Sequence, residues 1–326
     1  MRYIDMHCDT LEKALAQKAE TFYELQGTMV DLKRLLQAGA GAQFFAMFLP
    51  QREEPEWFGL KEMPPLEELL MQMYAVYRNT MERYAELVAP ARSLEDYRKN
   101  CESGKLSAFL TVENGALVQG KMEMLERLHE MGVGLLTLTW NDPNCFGYQH
   151  SADPEQMARG LTAFGKEAVQ YMNGLGMIVD VSHLSDGGFY DVADCCKKPF
   201  VASHSNCRAL CPATRNLTDD MIRVLAEHGG VAGLNWEPSF VNADAGDRYT
   251  TVAALCDHID HMYRVGGADC PAIGTDFDGI GGSFEIADCT AMGRLFDELH
   301  RRGHSDDFLE KLAYKNVERV IAESMR

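Results

Sequence analysis

The chain has 326 residues, of which 46% are hydrophobic and 25% charged, a composition typical of a soluble globular protein with a large core. Its 31 Lys and Arg against 49 Asp and Glu give a net charge of −18, which repels nucleic-acid phosphates and anionic lipid surfaces. We therefore expect no nucleic-acid and no membrane partner. Because no long apolar run and no export signal is evident, we expect a cytoplasmic location with reduced cysteines.

Short apolar runs of strand character alternate with longer amphipathic stretches, which is the pattern of βα units around a parallel sheet. Eight strands are predicted, at residues 3–9, 41–49, 107–113, 133–140, 177–182, 199–204, 230–236 and 272–276. Helices are predicted at residues 65–88, 121–131, 155–175, 186–196, 217–228, 251–266, 291–302 and 306–324. This alternation favours an α/β fold in which residues 1–326 form a single catalytic (β/α)8 TIM-type barrel domain. Functional groups of such barrels gather at the C-terminal strand ends.

The first predicted strand carries His7 and Asp9, two positions apart. Alternate side chains of a strand point to the same face, so the two are expected to point the same way. An imidazole and a carboxylate that face together suit a divalent metal such as zinc. After the second strand, the polar and proline-bearing stretch 51–65 is a long excursion that we expect to form a lid or rim.

Three later strands end in further metal ligands. The third ends in Glu113 after a strongly apolar run, and the fifth and sixth each end in a Ser-His pair, at His183 and His204. Five ligands are more than one tetrahedral zinc uses while it keeps a water, so we predict two Zn²⁺ per chain with Glu113 as the bridge. A hydroxide held between the ions would be the nucleophile.

The eighth predicted strand runs into two carboxylates, Asp276 and Asp278. Asp276 is positioned to take the proton of a metal-bound water and to pass it to a leaving nitrogen. Asp278 precedes Gly279, and we interpret it as a turn residue.

In their order along the chain, these segments resemble the membrane (renal) dipeptidase family of zinc peptidases. The resemblance covers nearly the whole chain and rests on His7-x-Asp9, Glu113, Asp180-Val181-Ser182-His183, Ser203-His204 followed by Arg215-Asn216, and Gly274-x-Asp276-Phe277-Asp278-Gly279. It implies a barrel that hydrolyses dipeptides at a two-zinc site and, by analogy, a homodimer. The implied ligands are His7, Asp9, Glu113, His183 and His204. Asp276 would be the acid/base and Arg215 the group that holds the free carboxylate of the substrate, a pairing that guanidinium geometry favours.

One position departs from the family. Members such as the renal enzyme have a His after the fourth-strand Leu-Thr-Leu-Thr, where it is thought to steady the carbonyl oxygen of the substrate, whereas this chain continues with Trp140 and Asn141. We expect both residues to contact the substrate, although an indole N–H cannot gain charge and replaces at most part of the role of a His. His150 is a second candidate for that role, but the sequence favours a surface position for it.

Three hypotheses follow for the function. The leading one is a zinc-dependent dipeptidase, which acts also on dipeptides with a C-terminal D-residue. The second is a two-metal amidohydrolase of cyclic amides or lactones, but such barrels often carry His-x-His on the first strand and a carboxylated Lys on the fourth, and the segment from Leu135 to Trp140 has no Lys. The third is a metal-binding barrel with impaired catalysis, supported by Trp140 and opposed by Asp276.

Overall fold

The computed structural model describes residues 1–52, 54–244 and 246–325. Glu53 in the predicted excursion, Ala245 in the loop after the seventh predicted strand, and Arg326 lie outside the described residues. Strands are numbered here in chain order, and eight of them form a closed parallel barrel: β1 (Ile4–Cys8), β2 (Ala42–Phe48), β4 (Leu106–Glu113), β5 (Val133–Thr137), β6 (Ile178–Asp180), β7 (Val201–Ala202), β8 (Val231–Leu234) and β10 (Pro271–Ile273). Neighbours along the chain pair with each other, and β10 pairs with β1 to close the ring. The predicted (β/α)8 barrel is confirmed.

Three short strands were not predicted. The strand β3 (Val88–Pro90) pairs with the first half of β4, on the side that β5 occupies further along. The strands β9 (Tyr249–Thr250) and β11 (Ser283–Phe284) form a small parallel pair of their own. Segments of two or three residues are too short to show a periodicity, so the sequence pattern does not reveal them.

Helices cover the outside of the barrel. They are α1 (Thr10–Ala16), α2 (Leu32–Ala38), α3 (Leu66–Arg83), α4 (Leu94–Glu102), α5 (Met122–Met131), α6 (Pro154–Met157), α7 (Ala163–Leu175), α8 (Asp186–Cys195), α9 (Asp219–Glu227), α10 (Pro238–Val241), α11 (Val252–Gly266), α12 (Gly293–Arg301), α13 (Asp306–Glu310) and α14 (Asn316–Ser324). Short 3-10 turns lie at Pro55–Phe58, Gly115–Val118 and Cys289–Ala291, and a π turn at Lys311–Lys315 joins α13 to α14. Side chains cap the N-termini of several of these helices; for example, the Ser93 hydroxyl accepts a hydrogen bond from the backbone N–H of Asp96 at the start of α4. In the part of the chain that is described, no helix has both the length and the apolar character needed to cross a bilayer.

The interior of the barrel is filled by a cluster of apolar side chains below the site. They come from all eight barrel strands and from α14, and they include Ile4, Met6, Phe44, Phe109, Leu135, Ile178, Val201, Val231, Ala272, Val317 and Ile321. Because α14 packs into this cluster, it closes the end of the barrel opposite the C-terminal strand ends. Among the described residues, the cavity opens at the end that carries the predicted site residues.

Candidate metal centre

The structure brings the five predicted ligands together at the C-terminal strand ends. The two oxygens of Glu113 face different imidazoles, since Oε2 lies 3.5 Å from His7 Nε2 and Oε1 lies 3.0 Å from His183 Nε2 and 3.7 Å from His204 Nε2. Asp9 Oδ2 lies 3.5 Å from His7 Nε2. This places Glu113 between two sets of ligands, as expected of a bridging carboxylate.

An irregularity in β1 aims His7 into the centre. The pairing of β1 with β2 shifts by one residue between Asp5 and Cys8. Met6 packs in the interior cluster, whereas Cys8 packs in the outer core against the helices. The extra residue of this bulge breaks the alternation, so His7 points inward directly after Met6. Asp9 is not in the strand but immediately precedes α1 as its N-cap residue.

A buried carboxylate beneath the cluster orients His204. Asp180, at the end of β6, accepts hydrogen bonds from the hydroxyls of Thr137 and Ser203, both at 2.6 Å. The Ser203 hydroxyl in turn lies 2.7 Å from His204 Nδ1. Because its proton is directed to Asp180, the hydroxyl oxygen accepts the Nδ1–H of His204. The Nε2 lone pair of His204 then faces Glu113 and is available for a metal.

Asn141 plays the same part for His183. Its Oδ1 lies 3.2 Å from His183 Nδ1 and 3.1 Å from His150 Nε2, so both rings can donate to one carbonyl oxygen. His150 Nδ1 lies 2.8 Å from the hydroxyl of Thr214. The prediction of a surface position for His150 is therefore wrong: the residue is partly buried, and burial together with the Arg215 cation lowers its pKa to about 2.

The charges of the cluster are unbalanced without a cation. Burial lowers the pKa of His7, but the nearby carboxylates of Glu113 and Asp9 outweigh it and raise that pKa well above its ordinary value. Burial lowers the pKa values of His183 and His204 well below the ordinary value, which keeps both rings neutral. Among the described side chains, His7 Nε2 and Asp9 Oδ1 are buried without a hydrogen-bond partner.

These groups fit divalent metal ions. Three overlapping sets each place their ligand atoms within 4.8 Å of one another: His7 with Asp9 and Glu113, Glu113 with His183 and His204, and His7 with His204 and Asp276. Neutral imidazoles and carboxylates are the ligands that zinc prefers, and buried polar atoms without partners gain most from coordination.

Asp276 lies at the edge of the cluster. Its Oδ1 is 3.7 Å from His7 Nε2, and its Oδ2 accepts a hydrogen bond of 2.8 Å from the Asn235 amide. Burial raises the pKa of Asp276 well above the ordinary value, and the carboxylates of Asp9 and Glu113 add to the rise. The residue takes a positive φ of 61°, which turns its side chain towards the ligands.

Arg215 is buried next to the ligand strand β7. Its guanidinium donates to the Ser205 hydroxyl at 3.2 Å and to the His204 carbonyl at 3.3 Å, and it lies 5.3 Å from the centre of the Phe240 ring. Burial lowers the pKa of Arg215 to about 10. Its Nε has no hydrogen-bond partner among the described residues, which leaves donor capacity for an anion.

A cavity of about 470 Å³ opens beside the cluster, large enough for a small molecule of dipeptide size. Trp140 lies on its wall with its ring centre 4.9 Å from that of Phe48, 5.9 Å from that of Trp57 and 6.2 Å from that of His183. Trp57 belongs to the predicted excursion 51–65, whose Pro55–Phe58 turn forms part of the rim.

Several residues of the site were not predicted. Glu12, Lys13 and Glu237 line the cavity. Asn235 donates a hydrogen bond to Asp276. Asp180 accepts a hydrogen bond from the backbone N–H of Ser203 and so connects the ends of β6 and β7. Asp180 and Asn235 belong to predicted strands. In each case a polar residue within an apolar run was the feature of the sequence that could have indicated a role in the site. Glu12 and Lys13 lie in α1, a short helix that the sequence analysis does not predict.

Asp278 has the structural role that the sequence suggested, although it is buried. Its two carboxylate oxygens accept hydrogen bonds from the Thr10 hydroxyl at 2.7 Å and from the backbone N–H of Met29 at 2.6 Å. Burial raises the pKa of Asp278 to about 6.

Comparisons with known proteins agree on one family. The family model of the membrane dipeptidases, peptidase family M19, matches residues 1–325. Dipeptidase aclJ of Aspergillus oryzae is 31% identical over 304 residues, which cover 92% of this chain and 71% of the relative. The crystal structure of the M19 metallopeptidase dipeptidase AC superposes with a TM-score of 0.89 at 29% identity, over 100% of this chain and 99% of the other. A metallopeptidase from Rhodobacter sphaeroides, solved with a phosphinate mimic of the dipeptide L-Ala-D-Ala, gives a TM-score of 0.88 at 27% identity over 99% of both chains.

Proposed function

Because the chain belongs to the membrane dipeptidase family, peptidase family M19, we propose that it is a zinc-dependent dipeptidase with two ions per chain. One observation carries the proposal: the two oxygens of Glu113 face two separate groups of buried ligands. His7 and Asp9 would hold one ion, and His183 and His204 the other. When bound, the ions supply a water of lowered pKa and polarise the peptide carbonyl.

The residues around the ions account for the selection of a short peptide. Arg215, buried beside β7, would pair with the free carboxylate of the second residue and fix the scissile bond at the cluster. The cavity is large enough for a small molecule, and the aromatic wall of Phe48, Trp57 and Trp140 would exclude water from one side.

Asp276 would carry the proton. Its Oδ1 faces the ligand cluster while Asn235 holds its Oδ2, so the carboxylate is fixed with one oxygen directed at the reaction centre. From this position it would take a proton from the attacking water and deliver it to the departing amine. The amide N–H groups of Asn141 and the indole N–H of Trp140 are the donors available where the family has a His.

The experiment measures metal content and hydrolysis on the same preparation. We expect about two zinc ions per chain and turnover of dipeptides in a panel with L- and D-residues at the second position. The phosphinate complex of the Rhodobacter sphaeroides neighbour supports including D-residues. Full activity of metal-free protein would end the proposal, and turnover of a cyclic amide with none of a dipeptide would replace it with the amidohydrolase alternative.

A further inference from the structure

Among the described residues, six carboxylates line the cavity. Five of them either belong to the metal cluster or accept hydrogen bonds through both oxygens. Three belong to the metal cluster, namely Asp9, Glu113 and Asp276. Asp278 uses both oxygens on Thr10 and Met29. Glu237 accepts from the Arg248 guanidinium through Oε1 and from the backbone N–H of Gly281 through Oε2.

Glu12 is the sixth, and only one of its two carboxylate oxygens has a hydrogen-bond partner among the described residues. Its Oε1 accepts a 2.7 Å hydrogen bond from the ammonium of Lys13, whereas no hydrogen bond to its Oε2 is made by any described residue. The Glu12 side chain is only 4% exposed, whereas that of Lys13 is 35% exposed. A carboxylate this buried costs free energy unless further positive charge reaches it.

The surroundings of Glu12 suit an aliphatic chain that ends in a cation. Glu12 and Ala16 lie four residues apart on one face of α1, and the backbone oxygen of Ala16 lies so close to Gly59 that a Cβ there would be 2.6 Å away. The turn that carries Trp57 therefore packs against α1, and both Glu12 and Trp57 line the same cavity. A cavity wall that carries both aromatic rings and a carboxylate suits an alkyl stem with a positively charged end.

We propose that Glu12 selects dipeptides whose first residue has a positively charged side chain of the arginine or lysine type. This inference rests on the proposed dipeptidase function. Arg215 follows β7 and Glu12 follows β1, with β8 and β10 between those strands on the shorter way around the barrel. A dipeptide anchored by its carboxylate at Arg215 would extend its first residue across the cavity, whose wall includes Glu12. Lys13 would move its partly exposed ammonium towards solvent when the substrate arrives.

The test compares two substrates that differ only in charge. An arginine dipeptide and its citrulline counterpart, with alanine as the second residue, have side chains of the same length, but citrulline carries an uncharged urea. We expect zinc-loaded enzyme to show a kcat/KM for the arginine substrate at least about tenfold higher, as one charged hydrogen bond provides. Glu12→Gln should remove that ratio, and Lys13→Gln should increase it. Glu24→Gln is the matched control, because Glu24 pairs with Lys33 at 2.7 Å on the surface.

Two outcomes would overturn the inference while leaving the dipeptidase function intact. The first is equal turnover of the two substrates, or a preference for an acidic first residue. The second is an equal loss of both activities in Glu12→Gln, which would mean that Glu12 binds the α-ammonium common to all dipeptides. Calorimetric binding of the same pair to zinc-loaded Asp276→Asn protein separates the two proposals. Tighter binding of the arginine dipeptide without turnover by the wild-type enzyme would support the role of Glu12 and refute hydrolysis.

Discussion

Replacing Asp276 by Asn tests the proton carrier with little change in shape. Asp276 takes a φ of 61°, a left-handed conformation that Asn tolerates, so the backbone turn should survive. The amide oxygen can still accept the hydrogen bond of Asn235. The variant loses only the ability to exchange a proton beside the ions, and we expect kcat to fall about 10² to 10⁴-fold, or about 2.7 to 5.4 kcal/mol in the barrier.

The assay pairs kcat for one dipeptide with zinc content by elemental analysis. Asp278→Asn is the matched control, because Asp278 is also a buried aspartate with a positive φ, of 72°, but its oxygens contact Thr10 and Met29. We expect the control to keep most of its activity. An unaltered kcat in Asp276→Asn would refute the assignment, and a loss of zinc that matches the loss of activity would make Asp276 a ligand instead.

Removal of zinc with a chelator should abolish activity and lower the Tm, because it leaves the buried carboxylates uncompensated; added Zn²⁺ should restore both. Arg215→Met should raise KM about 100-fold with a smaller effect on kcat, whereas the exposed Arg223→Met should change neither in the same steady-state assay. Asn141→Ala should weaken zinc binding about 10- to 100-fold in a chelator competition, because His183 loses the acceptor of its Nδ1–H. In chelated protein, His183→Gly should be more stable than His183→Ala by about 1 kcal/mol in urea unfolding, because His183 has a φ of 68°.

The architecture could be predicted because each barrel strand is a short apolar run followed by an amphipathic helix. All eight predicted strands are present, but seven of them end before the predicted residue: the predicted strand 199–204 is β7, Val201–Ala202, and 133–140 is β5, Val133–Thr137. In both cases the missing residues leave the ladder to form the site. Residues at the C-terminal strand ends make hydrogen bonds to partners other than the neighbouring strand. The hydrophobic pattern of the sequence does not reveal these partners.

The meeting of the five candidate ligands could be predicted because they lie at or just beyond the ends of apolar strands, and parallel strands bring these ends to one edge. Glu12 could not be assigned in the same way. It lies at a helix position where a glutamate is ordinarily solvated, yet its side chain is buried in the folded chain, where the distant Pro55–Phe58 turn packs against α1. A long-range contact of this kind leaves no periodic signal in the sequence.

The sequence predicts that His7 and Asp9 point in the same direction, but the structure shows a different physical cause for this. Strand alternation predicts that His7 and Asp9 share a face, and the two side chains do meet, yet Asp9 lies beyond the strand and His7 points inward because of the bulge in β1. His183 and Asp276 are aimed by left-handed turns, with φ of 68° and 61°, which cost a non-glycine residue about 1 kcal/mol each. Glycine would relieve that strain but would provide no ligand or acid. The placement of His and Asp at these turns is therefore better explained by their chemistry than by folding stability.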